Sequence, residues 1–406
     1  MSAVKTGVIY TIGDVFVKII PFILLPYMTR RMGIDEYGEL SYIQFYISLF
    51  SILFSLTQGG TITRYYYFYG KRSIGLILSN SYLYTFFISL ISLLLMVGIS
   101  NQFFMLAVIA ALTTELISSQ LMLRICQNKT MEYFFINVGV GFLSLGMTFF
   151  LFECYEPSVD NRLISIIIPN IIFFGFSFFS LFKKENLCFK FNLSHRIVGC
   201  KYLIATALPL SMLQVSALLK GQMDRLFIYE KYSTTQLGVY SAAFQLAAPL
   251  TIIIMAFNKA LIPGYYHRIK SDLFGVSDLK RLVFILLFCL PLILLIGFFV
   301  PDSLFIWVLG KDISDVKYFF IMFLAGNATL APYLILTNYY VFWGKMLFVT
   351  VTSTVGLVIY FCYLLVAADI SIRYLPFGIA ISNITTIILL FSFLNRVQPA
   401  LQKKHG

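Results

Sequence analysis

Two short patterns put charge where an oily chain should carry none. Asp14 and Lys18 stand four residues apart inside one long apolar run, and Lys220, Asp224 and Arg225 stand together at the end of another. Residues four apart share one face of a helix, so each acid can reach its lysine. Lys259 closes a further run, Glu115 lies inside one, and Arg124 ends it. Such a group at the centre of a membrane helix costs roughly 2.5–3.5 kcal/mol on insertion scales, so it normally faces a cavity or a partner. For Asp14 and Lys18 both outcomes stay open: mutual neutralisation between packed helices, or a cavity wall. Asp224 and Arg225, near an interface, are either structural or functional. Lys259 and Arg124 are placed to snorkel to headgroups, the outcome expected for Arg124. Lys220 is the strongest candidate for a cavity, with Asp224 as its one evident local partner and Arg225 adding positive charge. Asp14 and Glu115 against Lys18, Lys220 and Lys259 leave a positive excess. That bias suits an anionic headgroup such as a diphosphate, for which lysine acts as a point charge.

The surrounding sequence explains why these charges stand out. Of 406 residues, 59% are hydrophobic and 12% charged, against about 25% charged in soluble domains. The chain is therefore an all-α polytopic membrane protein. A spanning helix needs about 20 mostly apolar residues, and about twelve such runs can be placed. They fall near 7–28, 41–61, 76–98, 103–124, 132–152, 163–182, 202–224, 237–261, 282–300, 318–340, 346–367 and 374–395. No signal-peptide cleavage site follows the first run, which is expected to stay as an anchor. Cys126, Cys154, Cys188, Cys200, Cys289 and Cys362 are scattered and form no metal-ligand spacing, so no cofactor or metal is expected.

The net charge of +12 sorts by loop, which points to membrane orientation and not to nucleic acid. Alternate connections hold Arg64, Lys71 and Arg72, then Lys183, Lys184, Lys190, Arg196 and Lys201, then Arg268, Lys270, Lys280 and Arg281, and finally Arg396, Lys403 and Lys404. The opposite side holds Glu153, Glu156, Asp160 and Asp302. By the positive-inside rule both termini are cytoplasmic. Residues 183–201 then form a basic cytoplasmic linker between six-span lobes at 1–182 and 202–406.

The halves repeat one another. In "PYMTRRMGIDEYGELSY" (Pro26 to Tyr42), Gly38 and Ser41 fall in register with Gly238 and Ser241 of "TTQLGVYSAAFQ". Ile52, Gln58 and Ile62 meet Ile252, Asn258 and Ile262, and the pair Tyr65–Tyr66 meets Tyr265–Tyr266. Six spans per half make this a parallel repeat, a design that commonly holds substrate between two bundles. The pattern P-x-x-T-R-x-x-G-x-x-x-Y-G-x-x-S from Pro26 resembles the polysaccharide-transporter branch of the multidrug/oligosaccharidyl-lipid/polysaccharide exporter superfamily. So does the second-half pattern running from Asp224 and Arg225 through Leu237, Gly238, Tyr240, Ser241 and Ala243. That branch includes the O-antigen flippases. The resemblance implies two six-helix lobes forming a V around a central cavity. It also implies movement of undecaprenyl-diphosphate-linked sugar repeat units between leaflets of the bacterial inner membrane, with a polymerase and a chain-length regulator as further partners. Under that reading Lys18, Lys220, Arg225 and Lys259 meet the diphosphate, while Asp14 and Asp224 serve in coupling or ion pairs.

Pro21, Pro26, Pro209 and Pro249 interrupt spans and are expected to kink them. An enzyme is disfavoured, since His195, His267 and His405 lie in loops or the tail and no G-x-x-x-x-G-K-[ST] is present. An O-antigen polymerase is disfavoured by the short outward loops. An ion-coupled drug exporter of the same superfamily would use Asp14 as its acid, but the positive excess argues against cationic cargo.

Overall fold

The structure, a computed structural model, describes residues 3–55, 58–70, 74–99, 102–185, 193–271, 273–310 and 315–396. Lys71, Arg72, Cys188, Lys190, Lys403, Lys404 and His405 lie outside the described residues. Among the described residues the elements are all helical, with no strands. Ten of the helical segments are long and apolar enough to cross a membrane. The chain is thus a multi-pass membrane protein.

The chain divides into two compact units, Met1–Leu218 and Leu219–Gly406. The first holds α1 (Ala3–Arg31), α2 (Gly33–Ser55), α3 (Gln58–Tyr69), α4 (Ile74–Ile99), α5 (Gln102–Cys126), α6 (Thr130–Cys154), α7 (Val159–Glu185) and most of α8 (Leu193–Gln222). Helix α5 packs against α2, α3, α4, α6 and α7. It can do so because Ala107, Ala110 and Ala111 are buried on it, and small residues let membrane helices approach closely. Helix α6 uses glycine to the same end. A methyl group on Gly139 would stand 2.4 Å from Phe173 of α7, and one on Gly141 2.5 Å from Ile20 of α1.

The polar passage at Pro26–Tyr42 is a tight turn. Gly33 adopts a left-handed φ of 86° between α1 and α2, a conformation glycine takes without steric cost. Arg30 and Arg31 close α1 while Asp35 and Glu36 open α2, so each set complements its helix dipole. Gly38 and Ser41 are buried on α2, as Gly238 and Ser241 are on α10. At the other end α8 begins at Leu193, inside the stretch expected as linker. Its first turns lie on α4: Arg196 donates to the Ser79 hydroxyl at 3.1 Å, and its carbonyl accepts from Asn80 at 3.0 Å.

The second unit holds the end of α8, then α9 (Asp224–Lys231), α10 (Thr234–Lys270), α11 (Val276–Phe288), α12 (Leu290–Phe299), α13 (Asp302–Leu309), α14 (Val316–Ala328), α15 (Leu330–Phe342), α16 (Met346–Ile370) and α17 (Phe377–Ser392). Ser233 caps α10 through a reciprocal box with Gln236. Helix α10 packs on α14 and α15, and α16 packs on α17 and α9.

Helices occupy all twelve expected span positions, although 7–28 and 202–224 are not among the ten segments above. The prolines expected to kink their spans leave the helices continuous. Helices α1, α8 and α10 run on through Pro21, Pro26, Pro209 and Pro249. The breaks fall instead at Cys289, before Pro291, and at Thr329, before Pro332. Proline denies its own backbone bond and crowds the carbonyl four residues back.

Arg124 does not snorkel. It is fully buried, donating to the Gln120 carbonyl at 3.2 Å, the Gln120 side-chain oxygen at 2.8 Å and the Ser177 carbonyl at 3.1 Å. Its Nε lies 3.4 Å from Glu132. It staples α5 to α6 and α7. Replacing a buried, ion-paired cation is expected to cost about 3 kcal/mol, whereas the half-exposed Arg31–Glu153 pair at 2.5 Å is worth under about 1 kcal/mol. Arg124→Leu should therefore lower the thermal unfolding temperature in detergent markedly, and Arg31→Ala should leave it almost unchanged.

Candidate functional site

In the first unit the intrahelical Asp14–Lys18 pair is not made. The Asp14 carboxylate accepts the hydroxyl of Tyr133 on α6. The Tyr133 ring stands edge-on to Tyr10 at 4.9 Å, and its hydroxyl also accepts from Asn137 at 3.4 Å. Lys18, one turn on from Asp14, is exposed and has no ion-pair partner among the described residues. Tyrosine has thus taken the acid that stands one turn from this lysine. Glu115 is half-buried on α5 and likewise engages no partner among the described residues.

In the second unit the Lys220–Asp224 pair is also not made. A break at Met223 separates them, ending α8 and starting α9. Asp224 is buried; its carboxylate accepts the Tyr240 hydroxyl and, at 2.9 Å, the backbone N–H of Arg225. Tyr240 is in turn clamped edge-on between Phe319 at 5.4 Å and Phe323 at 4.9 Å. The Asp224 carboxylate therefore serves the α9–α10 corner. Arg225 lies over the Phe244 ring at 5.1 Å, a cation–π contact. Its side chain is only 7% exposed, yet it makes no ion pair or hydrogen bond through its guanidinium among the described residues.

Lys220 is half-buried and seated in a notch on α16. A methyl group on Gly356 would stand 3.2 Å from Lys220 Nζ, 2.4 Å from the Thr386 hydroxyl and 3.1 Å from the Ser382 carbonyl. The notch is braced by Ser382, which donates to the Gly356 carbonyl at 2.9 Å, and by Thr386, which donates to the Ser382 carbonyl at 2.9 Å. No carboxylate meets the ammonium among the described residues. Lys220 and Arg225 thus flank the Met223 break, a corner carrying two cations and the Asp224 acid, and buried Tyr360 lies within electrostatic range of Asp224 and Arg225. Lys259 stands apart on α10, exposed and already engaged.

Several residues in these clusters were not candidates from sequence. Tyr240 lies inside the quoted Leu237–Ala243 motif, but a tyrosine there gives no sign that its hydroxyl meets an acid sixteen residues upstream. Tyr133, Tyr360 and Gly356 sit in ordinary apolar runs and carry no signal. Arg162 is buried on α7, where its guanidinium donates to the hydroxyls of Thr148 (2.7 Å), Ser165 (3.0 Å) and Ser144 (3.4 Å). An arginine inside an apolar run was a legible signal, and it belongs to the packing of α6 on α7.

Comparison with known proteins agrees with this architecture. Residues 3–265 match the family described as polysaccharide biosynthesis protein. The chain is 35% identical over 402 residues to "Lsg locus putative protein 1" of Haemophilus influenzae, covering 99% of this chain and all of that one. A second Haemophilus influenzae membrane protein is 31% identical, covering 98% of each. Among solved structures, the lipid II flippase MurJ in an inward closed conformation has a TM-score of 0.75 at 12% identity, covering 96% of this chain and 87% of that one. An inward-facing multidrug resistance transporter of the MATE family has a TM-score of 0.68 at 13% identity, covering 96% of each chain. At such identities the likeness establishes the fold.

The Asp224–Tyr240 contact should appear as energetic coupling. In a double-mutant cycle of Asp224→Asn and Tyr240→Phe, read by thermal unfolding, a coupling of about 1–3 kcal/mol is expected. Full additivity would detach the tyrosine from the acid.

Proposed function

Since the chain belongs to the polysaccharide biosynthesis protein family, within the multidrug/oligosaccharidyl-lipid/polysaccharide exporter superfamily, we propose that it is a lipid-linked oligosaccharide flippase. It moves undecaprenyl-diphosphate-linked repeat units of O-antigen or another surface polysaccharide from the cytoplasmic to the periplasmic leaflet of the bacterial inner membrane. In this reading lobes 1–182 and 202–406 are parallel repeats around a central cavity, both termini are cytoplasmic, and alternating access carries the headgroup across. A polymerase and a chain-length regulator would receive the product.

The observation that carries this reading is that two intramembrane lysines, Lys18 and Lys220, are left without the acids that stand four residues away in sequence. Lys18 and Lys220 have no carboxylate partner among the described residues, while Asp14 and Asp224 are held by tyrosines and Arg225 shares its corner with the Asp224 carboxylate. A diphosphate would supply the missing charge at Lys18 and Lys220 and pair with Arg225; Lys259 is the outlying member. A cationic drug would meet repulsion at the same positions.

The physics of the lipid fits. A charged, sugar-bearing headgroup cannot cross hydrocarbon unaided, because each unpaired polar group there costs several kcal/mol. The polyprenyl tail must stay in lipid, since each methylene drawn into water costs about 0.8 kcal/mol. An interior-negative potential favours outward movement of the anion by about 2.3 kcal/mol per charge at 100 mV.

Reconstitution in proteoliposomes tests the proposal. Lys18→Ala, Lys220→Ala and Arg225→Ala should each slow translocation of the lipid-linked oligosaccharide by at least about tenfold, the equivalent of about 1.4 kcal/mol. Unchanged rates in all three, at normal protein levels, would remove the cations from the substrate path.

A further inference from the structure

The second unit also contains a groove remote from Lys220 in sequence and lined by different helices. It has a volume of about 470 Å³ and lies between α10, α11 and α15. Protein interiors are close-packed and leave few voids larger than a water molecule, so a space of this size is filled in the membrane. Its walls are mostly apolar, including Leu286 of α11 and Leu334 of α15. Apolar walls of this kind do not hold water. Phe257 and Leu261 of α10 also line it and are themselves exposed, at 64% and 61%. The groove therefore opens sideways, towards hydrocarbon.

Its shape and its one charged member narrow the occupant further. The lining residues on α10 run from Ile254 to Arg268, about 21 Å along the helix at 1.5 Å per residue. That is a slot for an extended chain. The polar pair in its wall, Asn338 donating to Asn258 at 2.7 Å, is satisfied internally. Arg268 stands at the end of the slot, exposed, with its guanidinium free of any partner among the described residues. Lys270 and Arg281 are exposed nearby in sequence. The closest described acid, Asp278, is turned to the Gly275 backbone N–H at 2.9 Å.

We propose that this groove binds one anionic phospholipid, its acyl chain lying along α10 and its phosphate paired with Arg268. Basic pockets between membrane helices hold anionic headgroups, and a guanidinium meets a phosphate through two parallel hydrogen bonds. The site is separate from the corner at Lys220 and does not depend on what the protein transports.

Native mass spectrometry of the full-length protein in mild detergent tests this, with phosphatidylglycerol or phosphatidylcholine added. One phosphatidylglycerol should be retained about fivefold better than phosphatidylcholine, the effect of about one basic residue on an anionic lipid. Arg268→Gln, at an exposed position, should abolish that preference, and Lys270→Gln should keep it. Leu334→Trp, which fills the slot, should reduce retention of both lipids. Equal retention of the two lipids by the wild-type protein would overturn the proposal, as would an unchanged preference in Arg268→Gln. Arg268-dependent retention of undecaprenyl phosphate in preference to phosphatidylglycerol would also overturn it, giving the groove to a polyprenyl chain.

Discussion

Charge inside hydrocarbon is the constraint on which the rest of this molecule depends. An ion there is tolerated only with a partner, a hydrogen-bonded cage or access to water, and the chain shows the first two. Arg124 and Arg162 are buried among carbonyl and hydroxyl oxygens, and each ties neighbouring helices together. Asp14 and Asp224 are held by tyrosine hydroxyls from α6 and α10. Both carboxylates sit one turn from a lysine yet turn away from it. What remains is Lys18 and Lys220 without their neighbouring acids, with Glu115 as an acid likewise without a partner among the described residues.

Packing makes this arrangement possible. Glycine at 356 opens the notch over which the Lys220 ammonium lies, and the Ser382 and Thr386 hydroxyls stiffen it. A larger residue would push the lysine out or separate α16 from α17. The alanines of α5 and the glycines of α6 do similar work in the first unit, drawing helices close without polar glue. The breaks before Pro291 and Pro332 divide what would be two continuous spans of the second unit. They fall on α11–α12 and α14–α15, leaving α1, which carries Lys18, and α10, which carries Lys259, unbroken.

Much of this was legible in the sequence, because apolar run length translates directly into helices. Each expected span has its helix, and the Gly33 turn with its flanking charges follows from dipole and glycine chemistry. The family motif around Asp224 and Tyr240 also marked a real structural corner. What periodicity could not give was pairing. Lys18 one turn from Asp14 looks like an ion pair until Tyr133, far along the chain, claims the acid. Arg124 looked like a headgroup anchor because its carbonyl partners are backbone, which sequence does not display. The proline positions were visible, but whether a proline breaks a helix depends on what its neighbours can satisfy.

The central claim is that Lys18 and Lys220 both face a wet path used by an anionic lipid headgroup. It can be tested with single cysteines at 18 and 220, in a background where the six native cysteines are replaced. In proteoliposomes, a membrane-impermeant thiol reagent is applied with and without the diphosphate-linked oligosaccharide lipid. The account predicts that both positions react and that the lipid protects both. Positions that react only with hydrophobic reagents, or that the lipid fails to shield, would mean these lysines face acyl chains or lie off the route.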